Sequence, residues 1–349
     1  MDSVRGRVYS MSGDQMGCRQ LQYMLGDGGP EVATAILAEV QDHLADLMTD
    51  PFGNYLFQKL LEHVSDDERA SVVFAVAHRL TMSGMSLHGT RSVQKVVELA
   101  RSPTERAAVV QALENSVVDL ATNPNGNHVI QRVLQHFSAE GDSMFVYAAL
   151  ERSCFEVATH RHGCCVVQRA LDAASLEQRL SLVAQVAGRA LEMMQDPFGN
   201  YVVQYVLDKC AVEEVDVITR APMGQVVHLS TQKFSSNVVE KCLEKAQAPV
   251  QSAYVAELIA APSMSALLHD QYANYVIQRA LSVAPREDVA LLSDVVRPHL
   301  ALMRNSMSTG GRRIFIKMLK RFPEMAPTHA EIAAAEQQQQ QQRHEAPLN

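Results

Sequence analysis

Polar side chains recur along the chain in eight triplets, each made of the first, second and fifth residues of a short motif that follows a turn. The outer members are amides, hydroxyls, thiols or a carboxylate, which can hydrogen-bond to base edges. The middle member is Tyr, His or Arg in six triplets, and these flat side chains can stack on a base. We therefore predict a surface that binds single-stranded nucleic acid. In chain order the triplets are Cys18, Arg19 and Gln22; Asn54, Tyr55 and Gln58; Thr90, Arg91 and Gln94; Asn127, His128 and Gln131; Cys164, Cys165 and Gln168; Asn200, Tyr201 and Gln204; Ser236, Asn237 and Glu240; and Asn274, Tyr275 and Gln278.

The triplets recur at a regular interval. Their first members, from Cys18 to Asn274, lie 36 to 38 residues apart. A period of this length is typical of solenoids, in which each repeat packs only against its neighbours. The interval leaves room for two or three helices in each repeat. The sequence therefore predicts an all-helical array of eight stacked repeats.

Each triplet is predicted to lie on a helix. In the second motif, the apolar residues Leu56, Phe57 and Leu60 have helical spacing after a turn that contains Pro51 and Gly53. The triplet then occupies the face that this apolar stripe leaves free. A merely solvated helix face is the alternative, and it suits a single motif better. It gives no reason for Gln or Glu at the fifth position of all eight motifs.

The net charge of the whole chain is negative, whereas cations recur beside the triplets. The formal net charge is −8, which by itself argues against a nucleic-acid partner. A cation nevertheless follows the triplet in six repeats, and acidic residues such as Asp66 and Glu213 fall in the connecting segments. We predict a basic stripe beside the triplets, with the alternative that its cations only bridge neighbouring repeats. The stripe consists of Lys59, Lys95, Arg132, Arg169, Lys241 and Arg279.

Composition and motifs give no sign of catalysis, and we expect neither an enzyme nor a cofactor. Aromatic residues make up 5% of the chain, which has no Trp, and its six cysteines lack disulfide or zinc spacing. His160, His162, Cys164 and Cys165 occupy the turn and helix start of repeat five, so we expect no metal there. The sequence shows neither a secretory signal nor a membrane-spanning run. We expect free thiols and an intracellular protein.

The motifs resemble the Pumilio homology domain of the Pumilio and FBF (PUF) proteins, with similarity from residue 14 to about residue 322. Motifs such as DPFGNYLFQ and DPFGNYVVQ carry this resemblance. It implies a right-handed α-solenoid, a crescent of eight three-helix repeats. It also implies that each repeat binds one RNA base and that the chain runs antiparallel to the RNA.

The resemblance further implies a base for each triplet. Asn with Gln implies uracil (repeats two, four, six and eight), Ser236 with Glu240 implies guanine, and Cys with Gln implies adenine (repeats one and five). Thr90 with Gln94 departs slightly from the adenine pattern, and we assign adenine there. The carboxylate suits guanine because it accepts hydrogen bonds from N1–H and N2–H₂. Read from repeat eight to repeat one, the predicted target is 5′-UGUAUAUA-3′.

Two departures from the family pattern qualify this assignment. Cys165 stands where a flat stacking residue is expected. The chain begins 13 residues before the first motif turn, so we expect repeat one to be incomplete.

We predict one domain over residues 1–322 with a C-terminal cap at 282–322, where Arg312, Arg313, Lys317, Lys320 and Arg321 have helical spacing. Residues 323–349 are predicted to be a disordered, Gln-rich tail.

The resemblance implies a biological role. Family members bind 3′ untranslated regions of mRNA, and we expect this chain to recruit repressor or deadenylation factors through its convex face. We expect a cytoplasmic monomer that does not bind membranes. Two alternatives remain: a protein-binding α-solenoid scaffold, and a nucleolar ribosome-assembly factor of the same family.

Overall fold

The fold is described by a computed structural model that covers residues 4–139, 141–304 and 309–345. Within these ranges the regular secondary structure is helical and includes no strand. This confirms the predicted all-helical repeat class. Two compact units divide the chain, at Met1–Gln185 and Val186–Asn349. The first contains the motif helices of repeats one to five, and the second contains those of repeats six to eight.

Each repeat has three helices, of which the second carries the triplet. The motif helices are α2 (Gln15–Asp27), α5 (Gly53–His63), α8 (Gly89–Leu99), α11 (Gly126–Phe137), α13 (Gly163–Ala173), α16 (Gly199–Lys209), α19 (Ser235–Lys245) and α22 (Ala273–Val283).

A short helix precedes most motif helices: α1 (Val8–Ser12), α4 (Leu44–Thr49), α7 (Leu80–Met85), α10 (Val117–Thr122), α15 (Ala190–Met193), α18 (Val226–Ser230) and α21 (Met264–His269). A longer helix follows each one: α3 (Gly29–Val40), α6 (Asp66–Val76), α9 (Pro103–Leu113), α12 (Met144–Ala158), α14 (Leu176–Gly188), α17 (Val212–Arg220), α20 (Ala248–Ile259) and α23 (Arg286–Arg304). Helix α12 kinks at Ser153, and its second part serves as the short helix of repeat five. Short 3-10 turns at Gln41–His43, Ala77–Arg79 and Glu114–Ser116 join third helices to the next repeat.

The core is formed by the apolar stripes of the motif helices. Leu56, Phe57 and Leu60 of α5 are at most 1% exposed, as the helical spacing predicts. Within the first unit, α2 contacts α5, α5 contacts α8, and α8 contacts α11. Within the second, α16 contacts α19 and α19 contacts α22. This neighbour-to-neighbour packing sets the motif helices side by side, so their free faces repeat.

The turn before each motif helix fixes where that helix begins. In repeat two, Asp50 Oδ1 accepts from the amides of Phe52 (2.8 Å) and Gly53 (2.6 Å), which have no partner within the helix. Asp196 and Asp270 make the same two bonds in repeats six and eight. In these three repeats the caps place the first triplet residue at the second position of the motif helix.

The first repeat is complete, which corrects our expectation. Helices α1, α2 and α3 supply all three elements, and a carboxylate joins the third helix to the first. Glu39 accepts from the amides of Gly6 (2.9 Å) and Val8 (3.3 Å), just as Glu257 accepts from Gly224 (2.6 Å) and Val226 in repeat seven. Gly6 and Gly224 both have positive φ, which the clamped turn requires. The described N-terminal residues therefore form all three helices of this repeat.

A buried ion pair links the third helices of repeats two and three. Arg69 of α6 donates to Glu105 of α9 (Nε to Oε1, 2.9 Å) and to the exposed Asp66 (2.5 Å). The Glu105 side chain is fully buried and also accepts from the amide of Ser102, the residue that caps α9. The pair is enclosed and satisfied by hydrogen bonds, so each member depends on the other.

Two helices follow the last repeat. The predicted cap contains α24 (Thr309–Arg321), which carries the five cations and contacts α23 and α21. A 3-10 turn (Pro323–Met325) then leads to α25 (His329–Glu345), which contacts α23. Over residues 323–345 the structure thus differs from the disordered tail that we expected, and residues 346–349 of that prediction lie outside the described residues. Thr328 and Glu331 form a capping box, and the Ala, Glu and Gln residues that follow are strong helix formers.

Candidate nucleic-acid interface

The eight triplets all lie on the motif helices, and their members differ systematically in burial. The first members are buried, the middle members are exposed, and the fifth-position Gln or Glu is half-buried in six triplets and buried at Gln94 and Gln278. Tyr55 and Tyr201 are 58% and 57% exposed, which is unusual for rings of this size. Each free face therefore combines one exposed middle side chain with a recessed polar pair.

Hydrogen bonds orient the four Asn/Gln pairs in the same way. The Asn Nδ2 donates to a carbonyl of the preceding turn, for example Asn200 to Asp196 O at 2.8 Å. Because that carbonyl can only accept, the amide must turn its Oδ1 toward the fifth residue. Gln Nε2 then donates to it, at 3.1 Å for Gln58, 2.9 Å for Gln131, 3.0 Å for Gln204 and 3.0 Å for Gln278.

This orientation leaves the Oε1 of each Gln for a ligand. Gln131 and Gln204 also keep one N–H, whereas the Nε2 of Gln58 and Gln278 makes a second bond to the Asn carbonyl of its own triplet, at 3.1 and 3.2 Å. An adjacent acceptor and donor match the N3–H and a neighbouring carbonyl of uracil. In repeat eight, Gln278 Oε1 is buried and has no hydrogen-bond partner. A buried acceptor without a partner is costly, so a donor at this point would stabilise the site.

The pairs of repeats one and three are built differently. The thiol of Cys18 donates to Phe52 O (3.1 Å) and the hydroxyl of Thr90 donates to Asn125 O (2.9 Å), both in the turn of the next repeat. Gln22 and Gln94 donate to these side chains in turn, at 3.3 and 3.1 Å. These small side chains occupy less of the site than Asn does.

The pair of repeat five departs from all the others that contain Gln. The Cys164 thiol donates to Arg161 O of its own turn (3.6 Å), and burial raises its pKa to about 11. Gln168 is half-buried one helical turn later, at the expected position. Among the described residues, however, Gln168 makes no hydrogen bond to Cys164, whereas our assignment treats the two as a pair. The thiol is a weak acceptor and is already directed at the turn, so the Gln168 amide is not oriented from within its own triplet.

Repeat seven provides the carboxylate. Glu240 is half-buried beside the buried hydroxyl of Ser236, and Asn237 is exposed between them on the helix. Burial raises the pKa of Glu240, while the charges of Arg279, Arg321 and Lys317 act in the opposite direction. The carboxylate is thus partly dehydrated and gains from donors that approach it.

The cations of the predicted basic stripe form a row of ion pairs, and four of them bridge to the preceding repeat. Lys95, Arg132, Lys241 and Arg279 each contact a carboxylate of the preceding repeat, at 3.0, 3.0, 3.0 and 3.7 Å. Lys59 and Arg169 contact a carboxylate one turn further along their own helix, both at 3.6 Å. The partners that we missed are Glu62, Glu98, Asp172, Asp208 and Glu244.

Those acidic residues carried a signal in the sequence. In each case the residue lies four positions after the Gln or Glu of its triplet, on the same helical face. Our expectation had placed the acidic residues in connecting segments. Sequence reasoning also missed the contact of Lys317 with Tyr275, which depends on how α24 packs.

Metal binding finds no support in the part of the chain that the structure describes. No group of three or more His, Cys, Asp or Glu side chains is arranged there to hold a metal ion, and the six cysteines are free thiols. His160 and His162 lie in the turn of repeat five, with ring centroids 5.7 Å apart. None of the helices described could cross a bilayer.

The fold and this face define a helical-repeat protein of the nucleic-acid-binding class. A family model for the Pumilio-family RNA binding repeat matches eight segments: residues 7–41, 43–76, 85–114, 116–142, 153–187, 189–220, 225–259 and 266–296. The chain therefore belongs to the Pumilio family and is an array of eight RNA-binding repeats. The first matched segment agrees with a complete repeat one.

Relatives and solved structures are similar over most of the chain. A Pumilio domain-containing protein of Schizosaccharomyces pombe is 42% identical over 90% of this chain and 46% of its own length. Pumilio homolog 12 of Arabidopsis thaliana is 40% identical over 87% of this chain and 51% of its own length. The chain thus spans about half the length of these curated relatives.

One similar structure is the Puf4 RNA binding domain bound to an HO endonuclease RNA 3′ UTR recognition sequence. It has a TM-score of 0.81 and 38% identity, and the match covers 90% of this chain and 99% of that one. Another is PUF-8 in complex with PBE-RNA, with a TM-score of 0.77 and 28% identity over 92% of this chain and 94% of that one.

Proposed function

We propose that this protein binds single-stranded RNA in a sequence-specific manner, with one base for each repeat and the target 5′-UGUAUAUA-3′. The observation that carries the proposal is the shared hydrogen-bonding state of the four Asn/Gln pairs. Each pair presents the Gln Oε1, an acceptor that complements the N3–H of uracil and mismatches cytosine, whose N3 is an acceptor. Such a repeated arrangement has no role on a merely solvated face.

The exposed middle residues supply the second component of binding. Tyr55, His128, Tyr201 and Tyr275 offer rings to bases, and Arg19 and Arg91 offer planar guanidinium groups. Stacking contributes roughly 1–3 kcal/mol for each base. A bidentate base-edge contact discriminates by a similar ~1–3 kcal/mol. Several repeats together, less the cost of ordering the RNA, are sufficient for nanomolar affinity.

Ion pairing of the basic stripe changes the expected source of affinity. With its cations engaged by carboxylates, the stripe contributes less to phosphate binding than isolated cations would. Stacking and base-edge contacts then carry a larger share, which favours sequence-specific over general RNA binding. A nucleolar assembly factor with weak specificity would not need triplets that are largely intact in all eight repeats, and a protein-binding scaffold would not need the amide arrangement.

The proposed biological role is regulation of mRNA in the cytoplasm through 3′ untranslated regions, by a monomer that recruits repressor or deadenylation factors. Support comes from the Puf4 neighbour, which is bound to a 3′ UTR recognition sequence. The test is crosslinking of the protein to RNA in cells, followed by sequencing. Enrichment of UGUAUAUA in 3′ untranslated regions is expected, and the Glu240→Gln variant should lose it. Recovery of structured ribosomal precursor RNA instead would refute this role.

A further inference from the structure

The triplet of repeat eight is more buried than the triplets of repeats two and six. Repeats two, six and eight have the same residues, Asn, Tyr and Gln, and the same Gln-to-Asn hydrogen bond. Gln58 and Gln204 are nevertheless half-buried, whereas Gln278 is 1% exposed. Tyr275 is 44% exposed, less than either of the other two rings. The difference must come from outside the triplet.

Helix α24 supplies the covering side chains. The ammonium group of Lys317 lies 3.9 Å from the centre of the Tyr275 ring. One turn later, Arg321 Nη2 donates to Ser282 Oγ at 2.9 Å. Tyr275 and Ser282 lie on either side of Gln278 along one face of α22. Lys317 and Arg321 therefore bracket the amide that would contact the base.

The Lys317 contact and a base stacked on the same face of the Tyr275 ring exclude one another. A stacked base lies against the ring at about the distance that the ammonium group now occupies. The Gln278 Oε1, which uracil N3–H would approach, is buried without a partner. The charges of Lys317 and Arg321 also interact favourably with the Glu240 carboxylate of repeat seven. Contacts with both repeat seven and repeat eight therefore stabilise the positions of these two side chains.

We propose that Lys317 and Arg321 compete with RNA for the base site of repeat eight and thereby determine how strongly the first base is discriminated. This inference rests on the proposed function. The first base must displace both side chains, and the free energy of their contacts is subtracted from that of the base contact. The displaced cations stay near the RNA phosphates, so general affinity is retained while discrimination at this base falls.

The experiment compares two uracils that have the same triplet. Titrations use UGUAUAUA and copies with cytosine at the first or the third base, which repeats eight and six are proposed to bind. For the unaltered protein, we expect cytosine at the first base to lower the RNA affinity less than about threefold. Cytosine at the third base should lower it about tenfold or more. The Lys317→Ala/Arg321→Ala variant should show a first-base loss equal to the third-base loss.

A matched control removes the same charge from the same helix. The Arg313→Ala/Lys320→Ala variant changes two exposed cations of α24 and should keep the weak first-base discrimination. Equal losses at both positions in the unaltered protein would overturn the inference, as would an unchanged first-base loss in the Lys317→Ala/Arg321→Ala variant. If cytosine at the third base has no effect either, the proposed function itself fails, and the inference fails with it.

Discussion

Glu240 Oε2 lies 3.7 Å from Arg279 Nε, so the carboxylate of repeat seven is held by the cation that follows the triplet of repeat eight. The two residues come from adjacent motif helices, α19 and α22. This contact keeps a partly buried carboxylate in place without consuming both of its oxygens. It leaves acceptor capacity for the two donors of a guanine edge.

Converting the triplet of repeat seven to that of repeat six should change the base preference. We predict that Ser236→Asn, Asn237→Tyr and Glu240→Gln together shift the second base from G to U. Competition between UGUAUAUA and UUUAUAUA measures the shift, expected to be about 5- to 150-fold in each direction. Asn237→Tyr alone is the control, because it adds a stacking ring and keeps the carboxylate. A triple variant that still prefers G refutes the assignment.

The guanine preference should depend on pH. Burial raises the pKa of Glu240, and only the ionised form accepts from both guanine donors. The preference is therefore complete above the pKa of the free protein and is lost as pH falls through it. We expect the ratio of G to U affinity at the second base to fall as the pH is lowered toward this raised pKa. The U-to-C ratio at the third base, where Asn200 and Gln204 do not titrate, should stay constant.

Repeat five lacks a stacking side chain, and restoring one should strengthen binding. Cys165 is an exposed thiol at the position where repeat six has Tyr201. We predict that Cys165→Tyr raises the affinity for UGUAUAUA about fivefold or more, because base stacking contributes roughly 1–3 kcal/mol. The reciprocal change Tyr201→Cys should lower it by a similar factor. Fluorescence anisotropy measures both, and an unchanged affinity for the first variant argues against stacking in repeat five.

Releasing a cation from its carboxylates should increase the salt dependence of RNA binding. Lys95 contacts Glu62 at 3.0 Å and Glu98 at 2.9 Å. The Glu62→Gln/Glu98→Gln variant should bind RNA of any sequence more tightly. Its slope of log affinity against log salt should steepen by up to about 0.7 for each cation released. Asp67→Asn, an exposed change on α6, should leave that slope unaltered, and a variant with an unchanged slope would show that these cations do not meet phosphates.

Removing the buried carboxylate between repeats two and three should destabilise the fold. Glu105→Ala leaves the guanidinium of Arg69 buried without its main partner, so we expect a loss of about 3–5 kcal/mol in the free energy of unfolding. Asp66→Asn removes only the exposed partner, whose contact is screened by water, and should cost much less. Urea denaturation measures both, and equal losses would contradict the assignment of the stabilising contact.

Much of the repeat architecture could be predicted, because the same local sequence pattern recurs in all eight motifs. The stripe that includes Leu56 and Phe57 predicts helix α5, and it places Asn54 and Tyr55 on the free face, as observed. The ion pairs could not be predicted in this way. Lys95 meets Glu62 across two helices, and that contact depends on the distance between stacked repeats.

Repeat five shows that position in the motif does not guarantee a contact. Cys164 and Gln168 have the spacing of every other pair, and the structure places both on the free face of α13. The Cys164 thiol turns toward Arg161 O instead. The hydrogen-bond partner of this thiol depends on the backbone of the turn, which the residue types at the triplet positions do not specify.

The two C-terminal helices show a different limit. Lys317 and Tyr275 lie 42 positions apart, and no periodicity relates α24 to α22. Helix α25 was missed because its Gln-rich composition is typical of disorder, while Gln and Ala are also good helix formers. The contact of α25 with α23 is a tertiary feature that composition does not encode.

The most direct test of sequence-specific binding is a titration of the protein with UGUAUAUA and with a copy changed only at G. The predicted result is nanomolar affinity for the first RNA and affinity at least about fivefold lower for UUUAUAUA, because uracil leaves the Glu240 carboxylate without one of its donors. Equal affinities for the two RNAs would contradict the account.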